Sequence, residues 1–128
     1  MAVKLGDTFL DKTDNPHLWI VAAGPSEDNC VILVNLTSMK GRDDRTTICQ
    51  IGDHPFISRT SCIAYKYAVL TEVSSIELAL AEGKFSPRDD CSPQFLKKVA
   101  GGLLESLSTP NRIQNAYALM LRKISDGE

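Results

Sequence analysis

The sequence predicts a mainly β protein with helices in its C-terminal part, arranged as a small antiparallel barrel or sheet with two or three appended α-helices. Strand patterns occupy residues 4–72 and mainly helical patterns occupy residues 73–128, without the alternation of strand and helix that a parallel sheet needs. The chain has 128 residues, which is the length of one domain. We therefore expect residues 1–128 to form a single domain.

The strand predictions rest on short apolar segments that are bounded by turn-forming residues. These segments cover residues 4–10, 17–23, 30–37, 46–51, 61–65 and 67–71. Residues 30–37 contain the strongest run of β-branched and aliphatic side chains, and its unbroken apolar character predicts a strand that is buried on both faces. Residues 11–16 and 38–45 are polar or charged and predict loops.

The helix predictions rest on a change of apolar spacing after residue 73. Residues 74–82 predict a first helix, with Gly83 as its stop signal. Serine or threonine followed by proline, at residues 92–93 and 109–110, predicts the start of two more helices. Gly101 and Gly102 each weaken the second helix by about 1 kcal/mol relative to alanine, which indicates close backbone packing. The third helix carries an apolar stripe formed by Ile113, Ala116, Tyr117, Met120, Leu121 and Ile124.

Composition excludes several classes of function. The chain is 43% hydrophobic and carries a net charge of −2, which argues against binding to nucleic acid by bulk charge but not against a small cationic groove. We expect no membrane contact, because the apolar runs are far too short to span a bilayer. The first residues lack the apolar core of a signal peptide, so we expect a cytoplasmic protein with four reduced cysteines.

Residues 52–65 are the strongest candidate for a functional site. They place titratable and hydroxyl side chains between two strand patterns, which is typical of a site rather than of a simple connection. The side chains concerned are His54, Ser58, Arg59, Ser61 and Tyr65.

No cofactor or metal ion is expected. Motifs for nucleotide hydrolysis, dinucleotide binding, zinc proteases and serine hydrolases are absent from the sequence. Cys49, His54 and Cys62 could be considered as metal ligands, but their spacing is not that of a zinc finger or zinc ribbon. A Cys–His nucleophilic pair is also disfavoured, since Cys62 has apolar neighbours that are typical of an inert thiol.

Several short motifs occur in the order that is found in one family. They are Gly6-Asp7, the segments at residues 17–21, 31–38 and 61–65, and the terminal segment at residues 85–106. In this respect the chain resembles the toxins of the MazF/PemK family over roughly residues 4–106. The resemblance implies an SH3-like β-barrel that cleaves RNA without a metal ion. It also implies a homodimer and an antitoxin-like protein partner.

The resemblance also implies a set of site residues, with one departure. The family carries an arginine at the start of the second strand and a threonine or serine at the end of the third, and these two residues cleave RNA. Thr37 matches the hydroxyl position and is followed by Ser38, whereas the arginine position is occupied by His17. Arginine stabilises phosphate charge without losing its proton, but histidine can transfer a proton near neutral pH.

Metal-independent RNA cleavage needs a base, an acid and hydrogen-bond donors to the phosphate. We therefore predict that His54 and His17 form the acid–base pair and that Thr37 contacts the phosphate. Further phosphate and charge contacts are expected from Ser38, Ser58, Ser61, Arg59 and Arg45. Tyr65 is expected to stack on an unpaired base, as is Trp19 unless it lies in the core.

Two alternatives stay open at the level of sequence. His54 precedes a proline in a tight turn and could simply hydrogen-bond to the backbone there. The whole protein could also be a catalytically inactive SH3-like module that binds a protein or nucleic-acid partner. The first alternative depends on whether His54 lies beside His17 and Thr37 in space.

Overall fold

The computed structural model describes residues 3–41 and 43–126, and it contains seven strands and three α-helices within that range. In chain order these are β1 (Thr8–Asp11), β2 (Leu18–Ala23), β3 (Cys30–Ser38), β4 (Ile48–Cys49), β5 (Ser61–Ile63), a 3-10 turn (Tyr65–Tyr67), β6 (Val69–Glu72), α1 (Val73–Ala81), β7 (Phe85–Arg88), α2 (Pro93–Glu105) and α3 (Asn111–Asp126). The prediction of a mainly β protein with helices in its C-terminal part is confirmed.

The seven strands form one antiparallel sheet in the order β4-β5-β3-β2-β1-β7, with β6 also paired to β3. One edge of the nine-residue β3 pairs with two strands. Its first residues pair with β6 and its last residues pair with β5. Among the described residues the strand order has two ends, at β4 and β7. The sheet is therefore open along this path, and the predicted barrel is not confirmed.

Strand β3 separates two apolar clusters. Ile32, Val34 and Leu36 belong to a cluster that contains residues of α2 and α3, whereas Val31 and Leu33 belong to a cluster with residues of β1 and α1. All five side chains are buried. The prediction of a strand buried on both faces is confirmed, since alternate side chains of one strand point to opposite faces of the sheet.

Helix α2 begins at the predicted Ser-Pro pair. The Ser92 hydroxyl accepts a hydrogen bond from the backbone N–H of Phe95, at 3.1 Å, and Pro93 occupies the first turn. Gly102 lies against Tyr65 of the 3-10 turn and Thr47, the residue before β4, and an added methyl group would collide with both hydroxyls. The predicted close backbone packing is therefore found at Gly102. A methyl group at Gly101 would meet open space instead.

Strand β7 was not predicted and lies inside the part of the chain that was assigned to helices. It pairs with β1 along four residues, and Phe85 stacks on Phe9 with ring centroids 5.8 Å apart. Because it has only four residues and contains Pro87, it shows no recognisable strand pattern in the sequence. Proline is compatible with this position because β7 lies at an edge of the sheet, where one side of the strand needs no N–H donor.

The described residues contain no helix with the length and apolar character that a membrane crossing requires.

Candidate functional site

A polar groove of about 320 Å³ lies where β3 ends and β2 begins, and the loop between β4 and β5 forms one wall. We call it the polar groove. Its lining residues come from three separate parts of the chain: Asn15, Pro16, His17, Leu36, Thr37, Ser38, Lys40, Phe56, Ile57, Ser58, Arg59 and Ser61. The sheet is what brings these segments together.

His17 is positioned by the pairing of β2 with β3. Leu18 pairs with Leu36 in antiparallel register, so the preceding His17 lies beside Thr37, one residue beyond that pair. The backbone N–H of His17 donates to Asp11 Oδ1 at 3.1 Å, and the indole N–H of Trp19 donates to Asp11 Oδ2 at 2.9 Å. The Asp11 carboxylate therefore anchors the start of β2 through both of its oxygens.

The His17 ring has one nitrogen bound and the other available. Nδ1 lies 3.4 Å from the backbone carbonyl oxygen of Leu36, and because a carbonyl oxygen only accepts, Nδ1 donates in this contact. Within the described residues Nε2 has no hydrogen-bond partner. In the neutral imidazole Nε2 therefore carries a free lone pair, and His17 lines the groove.

Hydroxyl groups cluster at the end of β3. Ser38 pairs with Ser61 across β3 and β5, and Thr37 precedes Ser38. Ser61 is buried, and its hydroxyl donates to the backbone carbonyl of Arg59 at 2.9 Å. Ser38 is exposed and Thr37 is half-buried, and both residues line the groove. They can donate hydrogen bonds to anionic oxygens.

The groove has a local charge opposite to that of the whole chain. Lys40 and Arg59 line it and are exposed, whereas no aspartate or glutamate occurs among its described lining residues. Asp11 and Asp43 accept hydrogen bonds from the backbone N–H groups of His17 and Lys40 but do not line the groove. With a net charge of −2 for the chain, this is a local cationic site.

His54 does not line the groove. It is buried, its Nε2 donates to the carbonyl oxygen of Asp89 at 2.6 Å, and its Nδ1 accepts from the backbone N–H of Phe56 at 3.1 Å. Both ring nitrogens are therefore occupied by the backbone. The structure does not bring His54 and His17 together as an acid–base pair, and it places His54 as a turn residue that fixes the β4–β5 loop.

Tyr65 and Arg45 also lie away from the groove. Tyr65 is fully buried, and its hydroxyl donates to the carbonyl of Val99 at 2.6 Å and accepts from the Thr47 hydroxyl at 2.7 Å. Burial raises the pKa of the Tyr65 phenol. Tyr65 therefore ties the sheet to α2 and has no exposed ring for stacking. Arg45 is exposed but is not among the lining residues.

Lys40 and Phe56 line the groove but were not among the predicted site residues. Lys40 belongs to a charged loop, and such loops are usually solvated surface. In the sequence Phe56 is one apolar residue of a turn, and only its exposure of 38% in the structure distinguishes it from a core residue. Exposure of this kind follows from the path of the loop, which the sequence pattern does not fix.

Cys49 and Cys62 offer no activated nucleophile. Burial raises the pKa of Cys49 to about 12 and that of Cys62 to about 11, so both thiols keep their protons near neutral pH. The described residues contain no group of three histidine, cysteine, aspartate or glutamate side chains that could hold a metal ion. His54 is hydrogen-bonded to backbone groups through both nitrogens and is not paired with either thiol.

A larger cleft of about 970 Å³ lies between α2, α3 and the connection from β2 to β3, and we call it the apolar cleft. Its walls are mostly aliphatic, with Leu96 and Met120 as examples, and Lys123 pairs with Glu27 at 3.0 Å within its lining. No histidine and no arginine line it among the described residues. The polar groove is therefore the better candidate for chemistry, although it is smaller.

Comparison of the chain with protein-family models, with curated proteins and with solved structures gave no match. The resemblance to the MazF/PemK family consequently rests on the sequence motifs alone.

Proposed function

We propose that this protein acts on RNA in the polar groove, as a MazF/PemK-like endoribonuclease that needs no metal ion. One observation carries the proposal. The groove combines an imidazole, two cationic side chains and hydroxyls with no carboxylate among its described lining residues. Cationic groups and hydroxyl donors are what the phosphate backbone of RNA requires.

The proposed reaction uses His17 as the general base. His17 Nε2 removes the proton of a ribose 2′-hydroxyl, the 2′-oxygen bonds to the adjacent phosphorus, and the bond from phosphorus to the 5′-oxygen breaks. The 5′-oxygen takes a proton from water, and the hydroxide that remains takes back the proton held by His17, which restores the neutral imidazole. The products are a 2′,3′-cyclic phosphate and a 5′-hydroxyl, so atoms and charges balance.

Charge on the phosphate is neutralised by the other groove residues. Arg59 and Lys40 provide positive charge, and the hydroxyls of Thr37 and Ser38 donate to the phosphate oxygens. Ser58 and Ser61 belong to the same wall as Arg59. Because the Ser61 hydroxyl is bound to the Arg59 carbonyl, its role in this proposal is to hold the backbone that carries Arg59.

The partners in this proposal follow from the family resemblance. They are a second copy of the chain and a small antitoxin-like protein. In this proposal the open sheet is a variant of the SH3-like barrel of that family. Leu119, Leu121 and Ile124 are exposed near the end of α3, and a homodimer would cover such side chains. We place the activity in the cytoplasm, where the four free cysteines stay reduced.

Cleavage of labelled single-stranded RNA, with and without EDTA, tests the proposed activity. We expect the protein to cut in EDTA, and we expect His17→Ala to lower the rate by roughly 10²- to 10⁴-fold because the base is lost. Arg112→Ala is the control, since Arg112 is exposed on α3 and does not line the groove. Cleavage by His17→Ala at the wild-type rate would contradict the assignment.

A second candidate function is a catalytically inactive module that binds RNA in the same groove. It is favoured by one observation, which is that His17 is the only histidine among the described lining residues, so these residues offer no second histidine as the acid. The same experiment separates the two candidates. Retention of intact RNA by the wild type, without cleavage in any buffer, supports the module.

A further inference from the structure

Phe56 is an aromatic side chain exposed beside the cations of the polar groove. The residue is 38% exposed, and it shares the groove lining with Lys40 and Arg59. An exposed aromatic ring next to positive charge is a stable surface arrangement, because cations are attracted to the face of the ring. It is also the arrangement that binds single-stranded nucleic acid, in which cations track the backbone and rings stack on bases.

Hydrogen bonds hold the backbone that carries Phe56. Its N–H donates to His54 Nδ1 at 3.1 Å, and His54 Nε2 donates to the carbonyl of Asp89 at 2.6 Å. The next residue, Ile57, is buried and donates its N–H to the carbonyl of His54 at 3.0 Å. The ring is therefore presented on a turn that needs little further ordering when a ligand binds.

The other aromatic side chains cannot take this role. Phe56 is the only phenylalanine, tyrosine or tryptophan among the described lining residues of the groove. Trp19 is half-buried with its indole N–H bound to Asp11, and Tyr65 is fully buried. A base that enters the groove meets Phe56 as its stacking surface.

We propose that Phe56 stacks on one unpaired base of the bound RNA, next to the phosphate held by Arg59 and Lys40. This inference rests on the proposed function, and it adds the side chain that holds a base of the single-stranded RNA. In a duplex each base face is covered by its neighbours, so the ring has no surface to contact. Stacking tolerates all four bases, because each has a π-face.

Binding of a 2′-O-methyl oligoribonucleotide tests the inference, because that probe lacks the attacking hydroxyl and stays intact. We expect Phe56→Ala and Phe56→Leu to weaken binding about 5- to 150-fold, and Phe56→Trp to retain it. Leucine keeps an apolar side chain but has no aromatic face. The control is Ile51→Ala, since Ile51 is 70% exposed on the same loop and does not line the groove.

An abasic backbone of equal length and charge is the second probe. We expect the wild type and Phe56→Ala to bind it equally weakly, because no base is present to stack. Equal affinity of the wild type for the abasic and complete probes, or unchanged binding by Phe56→Ala and Phe56→Leu, overturns the stacking role while RNA binding stands. Failure of the wild type to bind either probe overturns the proposed function itself. Unfolding curves show whether each variant folds.

Discussion

At the scale of single residues, the two histidines have opposite surroundings. His54 is buried with both ring nitrogens bound to backbone groups, whereas His17 is half-buried with only Nδ1 bound. The sequence predicts that both transfer protons, because both are histidines and the sequence does not show their surroundings. What separates them is the distant Asp89 carbonyl, which reaches His54 across 35 positions of the chain. Only the folded structure brings that partner to the ring.

The His54→Ala variant should lose stability. Removal of the buried ring loses two part-buried hydrogen bonds, to the Phe56 N–H and to the Asp89 carbonyl, and each contributes about 0.5–1.5 kcal/mol. Urea unfolding measures the change. His17→Ala is the control and should cost less, because its single ring hydrogen bond is long, at 3.4 Å. Equal losses for the two variants would contradict a structural role that is particular to His54.

The buried thiols predict a loss of stability at alkaline pH. Burial raises the pKa of Cys49 and Cys91 to about 12 and that of Cys62 to about 11. An unfolded thiol ionises near pH 8.5, so above that pH the unfolded chain releases protons that the folded chain keeps. The free energy of unfolding therefore falls as pH rises from about 8.5 towards these raised pKa values.

The urea midpoint should accordingly be lower at pH 9.5 than at pH 7.5. Cys49→Ala removes one of the groups responsible and should show a smaller drop between the two pH values, whatever its stability at pH 7.5. A midpoint that is unchanged or higher at pH 9.5 in the wild type would show that the thiols are not shielded as described.

At the scale of elements, strong local patterns were predictable and weak ones were not. The β3 strand and the starts of α2 and α3 follow from an apolar run and from Ser-Pro and Thr-Pro pairs. Strand β7 has four residues and a proline, and it forms because β1 offers it a partner. Strand β4 covers two residues where the pattern predicted six. Pairing with another strand, rather than local preference, decides such short elements.

The two neighbouring glycines of α2 provide a matched pair of variants. Gly102→Ala should destabilise the protein by about 1–3 kcal/mol, because its methyl group would collide with Tyr65 and Thr47. Gly101→Ala should stabilise it by up to about 1 kcal/mol, because the site is open and alanine favours the helix. Urea unfolding of both variants measures the difference. Effects of the same sign would refute the packing of α2 on Tyr65.

At the scale of the whole molecule, the polar groove joins parts of the chain that are far apart in sequence. The loop before β2, the end of β3 and the β4–β5 loop each contribute polar side chains. His17, Thr37, Ser38, Arg59, Ser58 and Ser61 were predicted site residues that do meet there. His54, Tyr65 and Arg45 do not, because the direction of a side chain depends on packing that residue type does not reveal.

Two concave surfaces with different chemistry are candidates for the functional site. The polar groove carries the cations and hydroxyls, and the apolar cleft is about three times larger and mostly aliphatic. Size alone would favour the apolar cleft as a ligand site. We propose that RNA occupies the polar groove instead, because phosphate contacts dominate the affinity of proteins for nucleic acid.

The most direct measurement is an NMR titration of labelled protein with a short 2′-O-methyl oligoribonucleotide. We expect the largest shifts of backbone amide signals at Thr37, Ser38 and Arg59, with the signals of Leu119 and Met120 unchanged. We also expect the shifts to shrink as salt is raised, because counterion release contributes to binding. Shifts concentrated at Leu119 and Met120 would contradict the account and assign the RNA to the apolar cleft.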